Sequence, residues 1–229
     1  MDNFNITMKL NIHVNNGRAE VSTVPESSNP NGLNLNVTTD SIKKVADTIL
    51  SYMYDWHGAF VGGFSLVRKG GLYGYVNLEL KESISPKYPV AYDVCEGYAR
   101  VLRDGKYRFL HMNGFSCPYE VQDENSAFDY AADVKNGMAR VEVNGKIGFF
   151  STKEQEVIIP CEYEAAEEFS ANRAYTSVKK DGKWGLVGKN GTIILEPVFD
   201  SIFLYSDSFH AYIGETEYQG NLDGTYREI

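Results

Sequence analysis

Short apolar segments separated by turn dipeptides recur along most of this chain. A clear example runs from Asp181 to Ile194, where Asp181-Gly182 and Asn190-Gly191 flank apolar segments of strand length. Asp-Gly and Asn-Gly favour tight hairpin turns, because both residues tolerate positive φ. The apolar segments are too short for helices, so the pattern predicts β-hairpins.

This pattern repeats with a constant internal spacing. Five windows of equal length run from a strand opener to a turn position: 63–71, 97–105, 137–145, 174–182 and 209–217. A small residue and a β-branched residue follow each opener at the second and fourth positions: Ser65/Val67, Ala99/Val101, Ala139/Val141, Thr176/Val178 and Ala211/Ile213. Alternate residues of a strand share one face, so each pair is expected to be buried. The openers are 34, 40, 37 and 35 residues apart, and such a period indicates a repeat architecture.

The first part of the chain has a different pattern. Alternation over Met8–Val14 and Ala19–Val24 predicts a hairpin, and Leu33–Val37 predicts a third strand. Asp40 then suits a helix N-cap, and Gly58 suits a helix stop. Apolar residues between them lie three and four apart: Ile42, Val45, Ala46, Ile49, Leu50, Met53 and Tyr54. We expect this helical stripe to pack on the neighbouring sheet, with a partner-binding face as the alternative.

Glycine, aromatic and proline residues recur at fixed positions of the repeats, and each type has an expected structural role. Four glycines lie three positions after the turn of their copy: Gly74, Gly148, Gly185 and Gly220. Glycine there suits a β-bulge or the close approach of a neighbouring strand, and Arg108 breaks the pattern in the second copy. Three aromatic residues are expected to stack between neighbouring units: Tyr73, Tyr107 and Trp184. Pro160 and Pro197 are expected to end strands, because proline cannot donate to a ladder.

The fourth copy resembles a known repeat. Gly182–Val187, followed by Asn190-Gly191 and Ile193–Asp200, is similar to the WG (KWG) repeat of bacterial proteins, and Gly145–Phe150 with Ile158–Glu164 is similar as well. The resemblance extends from about Phe60 to the C-terminus. It implies a β-rich repeat array, and it implies no catalytic residues.

These observations predict a mainly β fold. We expect an N-terminal α+β cap at 1–58, made of the hairpin and one helix. About five WG-like β-hairpin repeats at 59–229 then stack as an open, solenoid-like array, because one unit cannot bury its apolar face alone. Closure of the repeats into a small β-propeller is the alternative.

Composition narrows the classes of partner. The formal net charge of −9 disfavours nucleic acid and favours a protein with a basic surface. The three cysteines are widely spaced and form no CxxC pair, so no zinc site is predicted. We expect no signal peptide and no membrane span, and hence a cytoplasmic protein.

Motifs for catalysis are not found in the sequence. There is no phosphate-binding loop, no HExxH and no GxSxG, and the four histidines are scattered singly. An enzyme would need His111 or His210 beside a carboxylate in a closed pocket. We therefore predict no enzymatic activity, no cofactor and no metal.

One run of acidic residues is a candidate partner-binding surface. It comprises Glu154, Glu156, Glu162, Glu164, Glu167 and Glu168. A solvated loop is the simpler interpretation, and a docking surface for a basic partner is the functional one. The resulting hypothesis is a non-catalytic protein-interaction module, by analogy an immunity or inhibitor protein, including phage-encoded ones. The alternative is a carbohydrate or small-ligand binding module that uses exposed aromatic residues.

Overall fold

The structure, a computed structural model, describes residues 9–15, 18–24, 39–112, 119–121, 127–171, 173–206 and 208–229. For 9–15, 18–24, 39, 41–42 and 119 it describes the backbone alone. The chain forms two compact units, Met1–Pro86 and Lys87–Ile229. The predicted strand Leu33–Val37 and the residue Cys117 lie outside the described residues.

The first unit begins with a hairpin and a helix. β1 (Lys9–Asn15) pairs antiparallel with β2 (Arg18–Val24), which confirms the predicted hairpin. Helix α1 spans Thr39–Met53. It begins one residue earlier than expected, so Asp40 lies in the first turn rather than at the N-cap. A carboxylate in the first turn still interacts favourably with the helix dipole.

Five antiparallel sheets of four strands account for the rest of the described chain. Sheet 1 contains β3 (Trp56–Val61), β4 (Phe64–Lys69), β5 (Leu72–Asn77) and β6 (Glu82–Tyr88). Sheet 2 contains β7 (Val90–Ala91), β8 (Tyr98–Arg103), β9 (Lys106–His111) and β10 (Tyr119–Glu120). Sheet 3 contains β11 (Tyr130–Ala131), β12 (Met138–Val143), β13 (Lys146–Ser151) and β14 (Glu156–Tyr163).

The last two sheets have the same plan. Sheet 4 contains β15 (Ala165–Ala166), β16 (Tyr175–Lys180), β17 (Lys183–Gly188) and β18 (Ile193–Phe199). Sheet 5 contains β19 (Ser201–Leu204), β20 (Ser208–Ile213), β21 (Thr216–Asn221) and β22 (Tyr226–Glu228). The mainly β fold with five repeated units is confirmed, and each unit extends the predicted hairpin by one strand on either side.

The hairpin turns lie where the dipeptides predict them. Residues in the two turn positions adopt positive φ, as in Asn144 (φ 52°) with Gly145 (φ 72°) and Asp181 (φ 51°) with Gly182 (φ 78°). Two successive positive φ values match the right-handed twist of the flanking strands. The turn sequence therefore fixes the register of the central strand pair in each sheet.

The fifth window differs from the prediction by two residues. β20 begins at Ser208, and its turn follows Ile213, so the window equivalent to the other four is 207–215 rather than 209–217. The buried pair is accordingly Phe209 and Ala211, whereas Ile213 is partly exposed. A shift of two residues preserves the face of a strand, which is why Ala211 still lies on the buried side.

Consecutive sheets of the second unit pack face to face. We define the leading face of a sheet as the one carrying Val101, Val141, Val178 or Ala211, and the trailing face as the opposite one. Three clusters join trailing faces to the next leading face: Tyr98 and Phe109 with Ala139 and Val141, Met138 and Phe149 with Val178 and Val187, and Tyr175 and Leu186 with Phe209 and Ala211. Each sheet thus buries the apolar face of the sheet before it.

In the first unit, α1 takes the place of a preceding sheet. Its Leu50 and Tyr54 pack on Val67 and Val76. Val67 is the sheet 1 equivalent of Val101 and Val141, so these residues mark the leading face of sheet 1. This is the packing expected for the helical stripe. It involves one side of the stripe only, because three of its other members are exposed: Val45, Ile49 and Met53.

The WG glycines lie where an outer strand crosses closely. A Cβ on Gly148 would be 2.5 Å from the Ile159 oxygen and 2.7 Å from the Cys161 nitrogen, and the ladder between β13 and β14 shifts register there. Both expected features, the close approach and the bulge, are therefore present. Pro160 and Pro197 do not end strands, however, because they lie inside β14 and β18. An edge strand tolerates proline when its missing N–H faces away from the ladder.

Candidate interaction surfaces

The predicted acidic residues lie along the outer strand of sheet 3 and the segment that follows it. Glu154 is in the turn before β14, Glu156 and Glu162 are on β14, and Glu164 lies between β14 and β15. Glu167 and Glu168 follow β15. All six side chains are exposed. The structure therefore places them on one continuous segment of surface chain.

Intramolecular ion pairs hold three of these carboxylates. Glu162 lies 2.9 Å from the Lys180 ammonium, and Glu168 lies 2.9 Å from that of Lys135. Glu164 lies 3.8 Å from the Lys146 ammonium and accepts a hydrogen bond of 3.1 Å from the Gly182 N–H. These carboxylates connect sheets 3 and 4, and their charge is largely compensated.

The remaining three acids differ in their surroundings. Glu154 accepts a hydrogen bond from the Ser151 hydroxyl and pairs with Lys153, and these contacts lower the pKa of its carboxyl. Glu156 and Glu167 make no side-chain ion pair with any described residue. Of the predicted set, these two carboxylates are the most available to a basic partner.

Glu164 also belongs to a repeated structural device that the sequence prediction missed. In four repeats a carboxylate directly before the first strand of the sheet accepts the backbone N–H of the next hairpin turn: Asp55 from Gly70 at 2.7 Å, Asp129 from Asn144 at 2.7 Å, Glu164 from Gly182 at 3.1 Å, and Asp200 from Gly214 at 2.8 Å. An acidic residue directly after an aromatic one, as in Phe199-Asp200, is the sequence signal. In sheet 2, Pro89 follows Tyr88 at this position, and its side chain has no hydrogen-bond acceptor.

A second candidate surface is the trailing face of sheet 5, which we call the outer aromatic face. It consists of Phe203, Tyr205, His210, Tyr212 and Glu217. Phe203 is 55% exposed and Tyr205 is 54% exposed. The Phe203 ring meets the Tyr212 ring edge-on at 6.2 Å, and the Tyr205 ring meets the His210 ring edge-on at 5.2 Å. The four rings form a ribbon across β19 and β20.

The equivalent face is buried in the sheets that precede it. Tyr98, Met138 and Tyr175 lie on the trailing faces of sheets 2, 3 and 4, and each packs against the following sheet. The sequence carried a signal for this surface, because Ile202, Phe203 and Leu204 place apolar residues on both faces of one strand.

His210 meets part of the requirement for a catalytic histidine. Its Nδ1 lies 2.8 Å from Glu217 Oε1, and hydrogen bonds from His210 and Tyr212 lower the pKa of the Glu217 carboxyl. The pair lies on an open face, however, with 29% and 34% of the two side chains exposed. His111 instead stacks on Tyr98 with ring centres 4.7 Å apart.

The other residues singled out in the sequence are partly buried. Tyr107 contacts Tyr130 of sheet 3, as expected for stacking between units, whereas Tyr73 contacts Trp56 of its own sheet. Trp184 lies beneath the Lys179 ammonium of the same sheet. The thiols of Cys95 and Cys161 both have a raised pKa, mainly because they are partly buried.

Metal-binding clusters and membrane-spanning helices are both absent from the described ranges. No group of three or more His, Cys, Asp or Glu side chains there is arranged to hold a metal ion. No helix there combines the length and apolar character needed to cross a bilayer.

Several solved structures align with parts of the chain at low identity. The N-terminal domain of Nup159 aligns at 11% identity with a TM-score of 0.38, covering 73% of this chain and 58% of that one. Hsv2p of Kluyveromyces lactis aligns at 9% with a TM-score of 0.39, covering 72% and 61%. The computationally designed Ika8 protein aligns at 12% with a TM-score of 0.34, covering 75% and 60%. The chain thus spans less than two thirds of the length of each.

No curated protein matches the sequence. The family model described as WG containing repeat matches five segments: 47–73, 73–107, 127–146, 147–184 and 184–211. Together these segments cover more than half of the chain, and each contains strands of the repeated sheets described above. The chain therefore belongs to the WG-containing repeat family.

Proposed function

We propose that this chain is a protein-interaction module whose main docking surface is the outer aromatic face of sheet 5. The observation that carries the proposal is the exposure of Phe203 and Tyr205 on a face that is buried in the preceding sheets. Contiguous exposed apolar surface marks interaction sites, and aromatic residues are enriched at the centres of protein interfaces.

The contacts within this face favour binding without rearrangement. The Phe203 ring packs edge-on against Tyr212, and the Tyr205 ring packs edge-on against His210. The Tyr175 hydroxyl donates a hydrogen bond of 2.7 Å to the Tyr205 carbonyl oxygen, which ties the end of β19 to sheet 4. Because the rings are already held in place, a partner would lose little conformational entropy in ordering them.

Charge supports a basic partner. The chain carries a formal net charge of −9, and Glu156 and Glu167 are exposed acids without a lysine or arginine partner among the described residues. We propose that the acidic set, Glu154, Glu156, Glu162, Glu164, Glu167 and Glu168, steers such a partner towards the protein. More specifically, we propose that the chain is a bacterial immunity or inhibitor protein that acts in the cytoplasm.

Affinity capture of protein partners from a lysate of the native host tests the docking surface. The wild-type chain is compared with F203S/Y205S and with I193S/V198S, which changes two exposed apolar residues on β18. We expect the first variant to lose at least about tenfold in captured partner, since truncating aromatic anchors costs more than about 1 kcal/mol each. The control variant is expected to match the wild type. Equal capture by all three would refute the assignment of this surface.

The acidic set has its own test, with the purified partner at low and high salt. E156K/E167K is expected to slow association at low salt by up to about tenfold and to have little effect at high salt. E196K/E215K reverses two other exposed acids and serves as the control. If both variants slow association equally, net charge rather than the acidic set is responsible.

The exposed rings also support a second candidate, binding of a carbohydrate on an aromatic platform. Phe203 and Tyr205 are the observation in its favour, because flat rings can stack on the apolar face of a sugar. Titration of cell-wall oligosaccharides into the wild type and F203S/Y205S separates the two functions. Saturable heat that the variant loses, together with an absence of protein capture, would favour the carbohydrate.

A further inference from the structure

The outer aromatic face contains a carboxylate whose charge is balanced by no lysine or arginine of the described chain. Glu217 accepts a hydrogen bond of 2.8 Å from His210 Nδ1 and another from the Tyr212 hydroxyl. Within the described ranges, no ammonium or guanidinium group forms an ion pair with it. A carboxylate offers about four acceptor positions, so Glu217 can accept further hydrogen bonds from a ligand.

Two aromatic rings lie beside this carboxylate. The Phe203 and Tyr212 rings are 6.2 Å apart between centres and are inclined at 85° to each other. Tyr212 connects them to the carboxylate, because its hydroxyl donates to Glu217, and this hydrogen bond raises the pKa of Tyr212. The faces of aromatic rings carry partial negative charge. The two rings and the carboxylate therefore form a corner that attracts a cation.

The protein holds a cation in a comparable arrangement at the contact between sheets 2 and 3. Tyr92 is the sheet 2 equivalent of Phe203, because its backbone pairs with Arg100 as that of Phe203 pairs with His210. The Arg100 guanidinium carbon lies 3.5 Å from the centre of the Tyr92 ring, and its Nε lies 2.7 Å from Asp133. A guanidinium at this position is thus held between a ring and a carboxylate.

Sheet 5 has the ring and the carboxylate, but His210 stands where sheet 2 has Arg100. We propose that a partner protein supplies the missing group, an arginine side chain whose guanidinium packs on Phe203 and Tyr212 and pairs with Glu217. This inference rests on the proposed docking role of the outer aromatic face, and it names the chemistry of the partner's anchor.

Two properties favour arginine as this anchor. Its planar guanidinium stacks on aromatic rings and can donate two parallel hydrogen bonds to a carboxylate, whereas a lysine ammonium is a strongly hydrated point charge. The formal net charge of −9 also attracts cationic groups over uncharged ones. The partner is therefore expected to present an exposed arginine at the centre of its own docking surface.

A small probe tests the site in the full-length chain. Acetyl-arginine amide is titrated into the wild type while the NMR signals of the Phe203 and Tyr212 rings are followed. We expect saturable shifts with millimolar affinity. Acetyl-citrulline amide, which has a similar shape without the charge, should produce no saturable shift. Equal shifts from the two probes would overturn the proposal, because the charge would then have no role.

Substitution of the carboxylate adds a second readout. Glu217→Gln removes the charge and keeps a hydrogen-bond acceptor, so it should weaken acetyl-arginine amide by about three- to fivefold. Glu228→Gln changes an exposed carboxylate on the opposite face of sheet 5 and should leave the affinity unchanged. Unchanged affinity in Glu217→Gln, or an equal loss in both variants, would contradict a specific pair with Glu217.

Partner capture distinguishes a failure of the anchor from a failure of the docking surface. E217Q is expected to reduce the captured partner by at least about tenfold, since it leaves the arginine unpaired in the contact. An unchanged urea midpoint shows that the variant is folded. Full capture by E217Q together with loss by F203S/Y205S would overturn the arginine anchor and leave the docking surface in place. Equal capture by the wild type and both variants would overturn both proposals.

Discussion

Single residues in this protein determine how neighbouring strands approach one another. At Gly185 an added Cβ would overlap the Leu195 oxygen and would lie 2.8 Å from the Pro197 nitrogen. Both atoms are backbone atoms of β18, so neither can move away as a flexible side chain could. The requirement for glycine after the aromatic residue of the WG repeat is therefore steric, and it arises from the strand that crosses there.

Gly185→Ala should destabilise the protein by about 1–3 kcal/mol, because it forces an overpacked contact between β17 and β18. The measurement is the urea midpoint of unfolding, followed by circular dichroism. Arg108→Ala is the matched control, since this position of sheet 2 already accommodates a Cβ. A loss for Gly185→Ala no greater than that of the control would contradict the steric explanation.

Carboxylates that cap the hairpin turns make stability depend on pH. The Lys183 ammonium and the Gly214 N–H hold the pKa of Asp200 below its ordinary value of 3.8. Lys106 and the Asn144 N–H lower the pKa of Asp129 in the same way. Because the folded-state pKa lies below the unfolded-state value, this stabilisation is complete above about pH 4 and is lost as the pH falls through the folded value.

We therefore expect the thermal midpoint to fall steadily as the pH is lowered from about 5 to about 2. D129N/D200N should have a lower midpoint at pH 7 and a shallower decline in acid. Glu196→Gln, which changes an exposed carboxylate of β18, should leave the profile unchanged. Parallel profiles for the wild type and the double variant would show that these carboxylates do not contribute.

At the scale of elements, the contact between sheets 2 and 3 contains a polar clamp within the apolar cluster. Arg100 of β8 pairs with Asp133 at 2.7 Å and donates a hydrogen bond of 2.8 Å to the Ala131 oxygen. Its guanidinium carbon lies 3.5 Å from the centre of the Tyr92 ring. These contacts fix the lateral position of one sheet on the next, which apolar packing alone would not specify.

Arg100→Ala should cost about 2–3 kcal/mol, since it removes a charge-assisted hydrogen-bond network that is mostly shielded from water. Arg103→Ala, on the same strand, should cost less, because the Arg103 side chain is 53% exposed, whereas that of Arg100 is 13% exposed. Both losses are measured by urea unfolding. Equal effects of the two substitutions would show that the clamp has no special role.

The sequence predicted the elements that are defined by local chemistry. Turn dipeptides such as Asn144-Gly145 fix the central hairpins, and the helical spacing around Leu50 fixes α1. Strands of two residues, such as β7 and β15, are too short to show a period. The fifth window was placed two residues late, because no Asn-Gly or Asp-Gly marks the turn at Gly214. Prolines inside β14 and β18 depend on the bulge, which is a property of two strands together.

The candidate surfaces were predictable only in part. The acidic run is visible in the sequence, but its compensation by Lys135 and Lys180 depends on which residues the adjacent sheets bring together. The outer aromatic face was missed, although Phe203 and its neighbours are apolar on both sides of β19. Its exposure depends on how the sheets pack on one another, which no local pattern encodes.

For the molecule as a whole, the trailing face of sheet 5 differs from the other trailing faces of the second unit. The trailing faces of sheets 2, 3 and 4 are each covered by the following sheet. On the trailing face of sheet 5, two aromatic rings are exposed instead, those of Phe203 and Tyr205. Contiguous exposed apolar surface commonly marks an interaction site, and we infer that this face is retained for binding rather than for stability.

F203S/Y205S should therefore change the free energy of unfolding by less than about 0.5 kcal/mol, as exposed surface positions usually do. Phe199→Ala and Phe209→Ala, whose rings are fully buried between sheets 4 and 5, should each cost about 3–5 kcal/mol. The three variants are compared by urea unfolding. A large loss for F203S/Y205S would assign the outer aromatic face to folding instead.

Site-specific photocrosslinking in the producing cells tests the central claim most directly. A photoreactive phenylalanine analogue is placed at position 203 and, as a control, at position 198 on the exposed edge strand of sheet 4. The account predicts a covalent adduct with one defined protein from position 203 and none from position 198. No adduct from position 203, or the same mixture of adducts from both positions, would contradict it.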